Sequence, residues 1–283
     1  MENYNKILAA VDGGFTAESA AKYAILIAEQ CNAKLDVIFV ITKDLDEKDV
    51  NLGTLSVERL VKCAMSRGIE VDGQIMHGPV VESIKSIVET HNIDLAVSST
   101  RHKDSKSRYF VRSISQKLMR SLSCSMIVVK VTHPGKTLHI QKILVPVMMG
   151  SYHADERAYL ISKLDSKARI RVLRVEKTSR TSALLTTHDE KLRLRSMGRA
   201  LLQPLAKELS NYDIQADMYV DLAPNYAEAV LRNAAAGHFD LIIIGATNKD
   251  IIRQIVQGNP VEEILGKTSC DVIIWHPGSR YKI

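Results

Sequence analysis

No stretch of this chain of 283 residues reaches the roughly 18 consecutive apolar residues that a membrane-spanning helix requires, so insertion into a bilayer is not expected. The opening MENYNKILAAVDGG is acidic at its start and carries no cleavage region, which points to a cytoplasmic protein. Only four cysteines occur, Cys31, Cys63, Cys124 and Cys270. None forms a CxxC pair, and their apolar neighbours predict buried, reduced thiols. The nine histidines lack HxxxH or HxH spacing, which leaves a metal site unsupported. There is no GxSxG elbow for a hydrolase nucleophile. Nor is there an HxGH-like motif or a lysine-rich loop to stabilise a transferring phosphate. His77, in MHGPVV, sits in turn chemistry set by Gly78 and Pro79 and reads as a surface histidine.

What is present is balanced. The chain is 46% hydrophobic and 25% charged, with a mean hydropathy of -0.04, which is neither a disordered nor a fibrous composition. Most of the net charge of +6 falls after residue 134. A mixed-sign surface with so modest an excess gives no reason to expect a nucleic-acid partner.

The length suits two domains, and the sequence repeats itself accordingly. NKILAAVDGG (5–14) returns as QKILVPVMMG (141–150), DLAVSST (94–100) as DLIIIGA (240–246), and LSCSMIVVK (122–130) as TSCDVIIWH (268–276). The later pairs are offset further than the first, so the second copy carries an insertion after its second strand, around TSRTSALLTTHDEK. Pro134 and Gly135 in VTHPGKTLH (131–139) mark a linker, giving domains 1–132 and 140–283.

In the first copy, short runs rich in Val and Ile (KILAAVD, LDVIFVI, EVDGQIM, DLAVSS, CSMIVVK) predict strands. Helical-period segments over 16–31, 55–67, 79–91 and 113–122 lie between them, with Thr16 as an N-cap and Pro79 and Pro224 opening the third helix of each copy. Strict alternation with nearly unbroken apolar strands predicts an α/β fold: two tandem doubly wound parallel sheets, flavodoxin-like, of strand order 3-2-1-4-5. In HDEKLRLRSMGRALLQPLAKEL (188–209), Leu192, Leu201, Leu202 and Leu205 form an apolar stripe expected to cover the sheet. Lys191, Arg193, Arg195 and Arg199 are expected to face water.

In such a sheet the ligand crevice lies at the carboxyl ends of the strands beside the switch point. Glycine after the fourth strand admits phosphate close to backbone N–H groups, and the next helix start favours its charge. In the second copy Gly245 ends that strand, two residues precede Asn248, nine more lead to Gly258, and Asn259 caps the next helix. This layout resembles the universal stress protein family, whose nucleotide-binding members carry a GxxG, nine-residue, G(S/T) signature and an aspartate ending the first strand. The resemblance covers nearly the whole chain twice and implies an adenine nucleotide alpha hydrolase-like fold. The second copy keeps Gly245 and Gly258, has Asn248 and Asn259 where the pattern has glycine and a hydroxyl, and has Met148 in place of the aspartate. The first copy keeps the aspartate as Asp12, followed by Gly13 and Gly14. Its loop has Ser99, His102 and Arg112 in place of the glycines, and only Ser113 matches in type. Arg101, Lys103, Lys106, Arg108 and Arg112 make that loop basic.

The resemblance implies a non-catalytic stress-response protein with weak or lost ATP or AMP binding, the second domain being the better candidate. Family domains pair through their last strands, which implies an intramolecular pseudo-dimer and allows a homodimer. It also implies an alternative, a regulatory module acting on a membrane transporter. A weak ATP hydrolase lacks an identifiable water-activating residue.

Overall fold

A computed structural model of the chain describes residues 4–100, 113–135, 138–148, 153–178, 187–245 and 260–278. The main division between its two compact units falls between Leu138 and His139. In the first unit β1 (Lys6–Val11), α1 (Phe15–Cys31), β2 (Lys34–Ile41), α2 (Glu47–Met65), β3 (Val71–His77), α3 (Val80–Thr90), β4 (Leu95–Ser99), α4 (Ile114–Ser121) and β5 (Ser125–Lys130) alternate. The second copy of the pattern contains β6 (Lys142–Val147), α5 (Ala154–Ser162), β7 (Arg169–Lys177), α6 (His188–Ser210), β8 (Ala216–Ala223), α7 (Tyr226–Gly237), β9 (Leu241–Gly245), α8 (Pro260–Lys267) and β10 (Asp271–His276), the last with Asp271 and Val272 alone in the second unit.

The strands of the first copy run β3-β2-β1-β4-β5, and those of the second copy repeat the order as β8-β7-β6-β9-β10. Each is the expected 3-2-1-4-5 arrangement, with parallel ladders such as Ile7 beside Leu35 and Leu95, and Ile143 beside Ile170 and Leu241. The central strands are apolar on both faces because helices cover both: Ile7, Leu8, Leu95 and Val97 are buried in one unit, and Ile143, Leu144, Ile242 and Ile243 in the other.

An aspartate fixes the register of the first and fourth strands in each unit. One carboxylate oxygen of Asp94 accepts from the backbone N–H groups of Asn5 and Lys6, at 2.8 and 3.0 Å. Asp240 does the same for Gln141 and Lys142, both at 2.9 Å. The lysine amines return to the carbonyls of His91 and Gly237. The repeated dipeptides Asp94-Leu95 and Asp240-Leu241 therefore mark a structural clamp of two charge-assisted bonds at the amino ends of the strands, the end of each sheet opposite the crevice.

Several expectations change in detail. Helix α1 is capped by Gly14, so Thr16 lies inside it. Helix α2 starts eight residues before position 55, because Asp46 accepts from the Asp49 N–H and supplies the N-cap. Pro79 occupies the N-cap of α3, whereas in the second unit Asn225, after Pro224, caps α7 through the Glu228 N–H. On α6 the face turned inward is Leu202, Leu205 and Leu209, while Leu192 and Leu201 are exposed. Cys124 and Cys270 are buried, but Cys31 and Cys63 are only half-buried.

Candidate functional site

The first crevice is built around the turn after β1. Oδ1 of Asp12 accepts the Gly14 N–H at 2.9 Å, tying the strand end to the start of α1. Gly13 between them has φ +85, and a Cβ there would lie 2.7 Å from the Gly53 amide nitrogen of α2. Only glycine satisfies both the left-handed backbone and that approach. Phe15, next along, is 79% exposed. A surface depression lined by Asp46, Glu47, Lys48, Asn51, Leu52 and Leu55 lies at the start of α2. Its two carboxylates against one ammonium disfavour a polyphosphate.

At the neighbouring strand end, Ser99 is buried and its carbonyl accepts the Ser115 hydroxyl at 2.8 Å. Ser113, the residue that matched the phosphate pattern in type, is the N-cap of α4 and accepts the Gln116 N–H at 3.1 Å. Arg112 and the rest of the basic loop lie outside the described residues, as do Asn248, Gly258 and Asn259 of the second copy. The structure therefore brings Asp12, Ser99 and Ser113 to one end of the first sheet, each with an internal structural role.

The second crevice is occupied differently. Arg157 of α5 is buried, with 8% of its surface exposed, and its guanidinium lies against the end of β9. A Cβ built on Gly245 would sit 2.0 Å from Nη2 of Arg157, 2.5 Å from Cζ and 3.0 Å from Nε. The glycine assigned to phosphate is thus required by an arginine of the same chain. That changes the expectation drawn from the sequence, where Gly245 stood for open backbone. Met148 brings no carboxylate, and its carbonyl accepts from Nη1 of Arg174 on β7, which also reaches the Val147 carbonyl at 3.4 Å. Nε of Arg174 donates to Glu176 at 2.8 Å.

Burial lowers Arg157 to a pKa of about 10, partly countered by Tyr226, so it remains a cation at neutral pH. Burial raises the Tyr226 phenol, against the opposing pull of Arg157 and Arg174, and keeps it neutral. The Tyr226 hydroxyl has no hydrogen-bond partner among the described residues. Sequence reasoning missed Arg157. The available signal was an arginine set directly before the apolar run Ala158–Ile161, where a charge has a side chain's length in which to reach the crevice.

Among the described residues, the first crevice has Asp12 together with Ser99 where the phosphate pattern has glycine, and the second has Gly245 with the space beside it filled by Arg157. No group of three or more metal-ligating side chains occurs among the described residues. Among them, too, no helix is long and apolar enough to cross a membrane.

The profile of the universal stress protein family matches residues 3–130 and again 139–276. The chain belongs to the universal stress protein family. One relative, a universal stress protein of Methanocaldococcus jannaschii, is 24% identical over 140 residues, 45% of this chain and 82% of its own. The crystal structure of a universal stress protein from Archaeoglobus fulgidus superposes with a TM-score of 0.65 at 14% identity, covering 98% of this chain and 97% of that one. The cytoplasmic domain of a prokaryotic cation chloride cotransporter superposes with a TM-score of 0.64 at 12% identity, covering 99% and 98%. At these identities the structural likenesses are of fold. The two matches of the family profile, with the repeated strand order, make this a tandem member of the family.

Proposed function

We propose that this tandem universal stress protein is a non-catalytic regulatory protein of the cytoplasm in which ATP or AMP binding is weak or lost. The carrying observation is the filled second crevice, with Arg157 beside Gly245 and Arg174 on the Met148 carbonyl. The first crevice supports the same reading, because Asp12 is engaged by its own turn and Ser99 replaces glycine. Any residual affinity is assigned to the second-domain loop, Gly245, Asn248, Gly258 and Asn259, where the spacing of the phosphate pattern survives. Hydrolysis has no water-activating residue to rest on. A turnover that Gly258→Val abolishes would reinstate it.

The test is extraction of the purified chain for bound nucleotide, read by mass spectrometry, with titration of ATP and AMP. The expected result is no co-purifying nucleotide and affinity in the high micromolar range or weaker, on the order of −5 kcal/mol. Nucleotide retained through purification would sink the proposal.

A second reading, a regulatory module acting on a membrane transporter, is favoured by the end-to-end likeness to the cotransporter domain. Affinity capture from solubilised membranes is expected to return a transporter under this reading. Capture of soluble proteins alone goes against it.

A further inference from the structure

We propose that Arg157 is a built-in occupant of the second crevice: its guanidinium takes the space beside the Gly245 backbone that a phosphate oxygen would need. The inference rests on the reading of that loop as phosphate-facing and adds what keeps it from binding.

Glycine at a strand end makes room in one direction only, where the side chain would have been. In this chain that room is taken, since three guanidinium atoms lie within 3.0 Å of the missing Cβ position. Phosphate and guanidinium cannot both stand there. The arginine is also buried and reaches the site from inside its own domain, from α5. An arginine that receives phosphate normally offers several N–H donors to solvent in a fork. Here the group is buried beside the Gly245 backbone, and Arg174, the second cation nearby, is committed to Glu176 and to the carbonyl of Met148. The Tyr226 hydroxyl completes the buried cluster.

Occupation from within lowers apparent affinity by the fraction of molecules in which the space is open. If the open form is about a tenth of the population or less, removing the side chain raises affinity about tenfold or more. Arg157→Ala opens the space, and Arg157→Leu does so with an apolar side chain suited to the surroundings should the alanine variant not fold.

ATP titrated into the full-length wild type, the Arg157 variant and Arg157→Ala/Gly245→Val should show weak binding, then a gain of about tenfold, then loss of that gain as valine refills the space. Equal measurable affinity in wild type and a folded Arg157 variant overturns the inference and leaves the nucleotide reading standing. No binding in either overturns the inference together with the assignment of residual affinity to this loop, and leaves a chain in which nucleotide binding is lost. Weaker binding in the variant also overturns it, because Arg157 would then be a phosphate ligand. A thermal measurement tests the contact without nucleotide. Gly245→Ala should lower the melting midpoint in the wild-type background and leave it unchanged beside Arg157→Ala; equal losses in both backgrounds would refute the packing itself.

Discussion

At the residue scale, the second crevice shows how one buried cation redirects the meaning of its neighbours. Gly245 was legible as a strand-ending glycine, but the sequence offers no distance between it and Arg157. Only the fold brings α5 over the end of β9. Tyr226 belongs to the same cluster and permits a separate check. Its folded pKa lies above the unfolded value of 10.0, so its contribution to stability is fully present below pH 10 and is lost as pH rises beyond it, when the unfolded chain ionises and the folded one does not. Tyr226→Phe removes that linkage. Denaturant melts of the two proteins should show the wild type losing ground to the variant above about pH 10, and no such drift between pH 6 and 9. At neutral pH the variant should be equally stable or better by up to ~1 kcal/mol, because a buried hydroxyl without a partner carries a desolvation cost.

At the element scale, strands were the most legible part of the sequence. Apolar runs gave β1 to β5 within a residue or so; for β1, β2, β4 and β5 the reason is that a strand buried on both faces has little freedom in composition, whereas β3, at the sheet edge, was legible without being buried. Helix starts were less legible. The true start of α2 depends on Asp46 capping the Asp49 N–H, in a segment whose apolar period is weak. The α6 stripe was misassigned at Leu192, in the first part of the helix where no residue is buried, and at Leu201, which lies off the face that Gly198, Leu202, Leu205 and Leu209 bury. The twin clamps Asp94 and Asp240 were visible as repeated Asp-Leu pairs but not as clamps. Asp94→Ala and Asp240→Ala should each cost ~1–3 kcal/mol in chemical denaturation, since two backbone N–H groups lose a charged acceptor. Asparagine at either position should recover part of the loss. An alanine cost within about 0.5 kcal/mol of zero would mean that water serves these amides as well as the carboxylate does.

At the scale of the whole molecule, the two copies share one scaffold and differ at their candidate site residues. The fold was legible twice over because strand order and clamp are conditions of folding, whereas the crossover after the second strand is free to lengthen, as it does in the second copy. The state of the sites was only half legible. Missing residues, such as the absent glycine at 99 and the absent aspartate at 148, can be read from sequence, whereas the filling of a space cannot. One consequence is stoichiometric. Calorimetric titration of the wild-type chain with ATP or AMP should never exceed one nucleotide per chain. A clean value of two would contradict the view that both copies are impaired.

The contact of Arg157 with Gly245 also has a bearing on descent. Two positions held together by steric exclusion are not free to drift singly: in sequences close to this one, a side chain larger than hydrogen at the glycine should appear only where the arginine has already been exchanged for something shorter. A glycine-pattern search reads position 245 as a relic of ligand binding. Joint variation with position 157 would show instead that selection has been maintaining a plug.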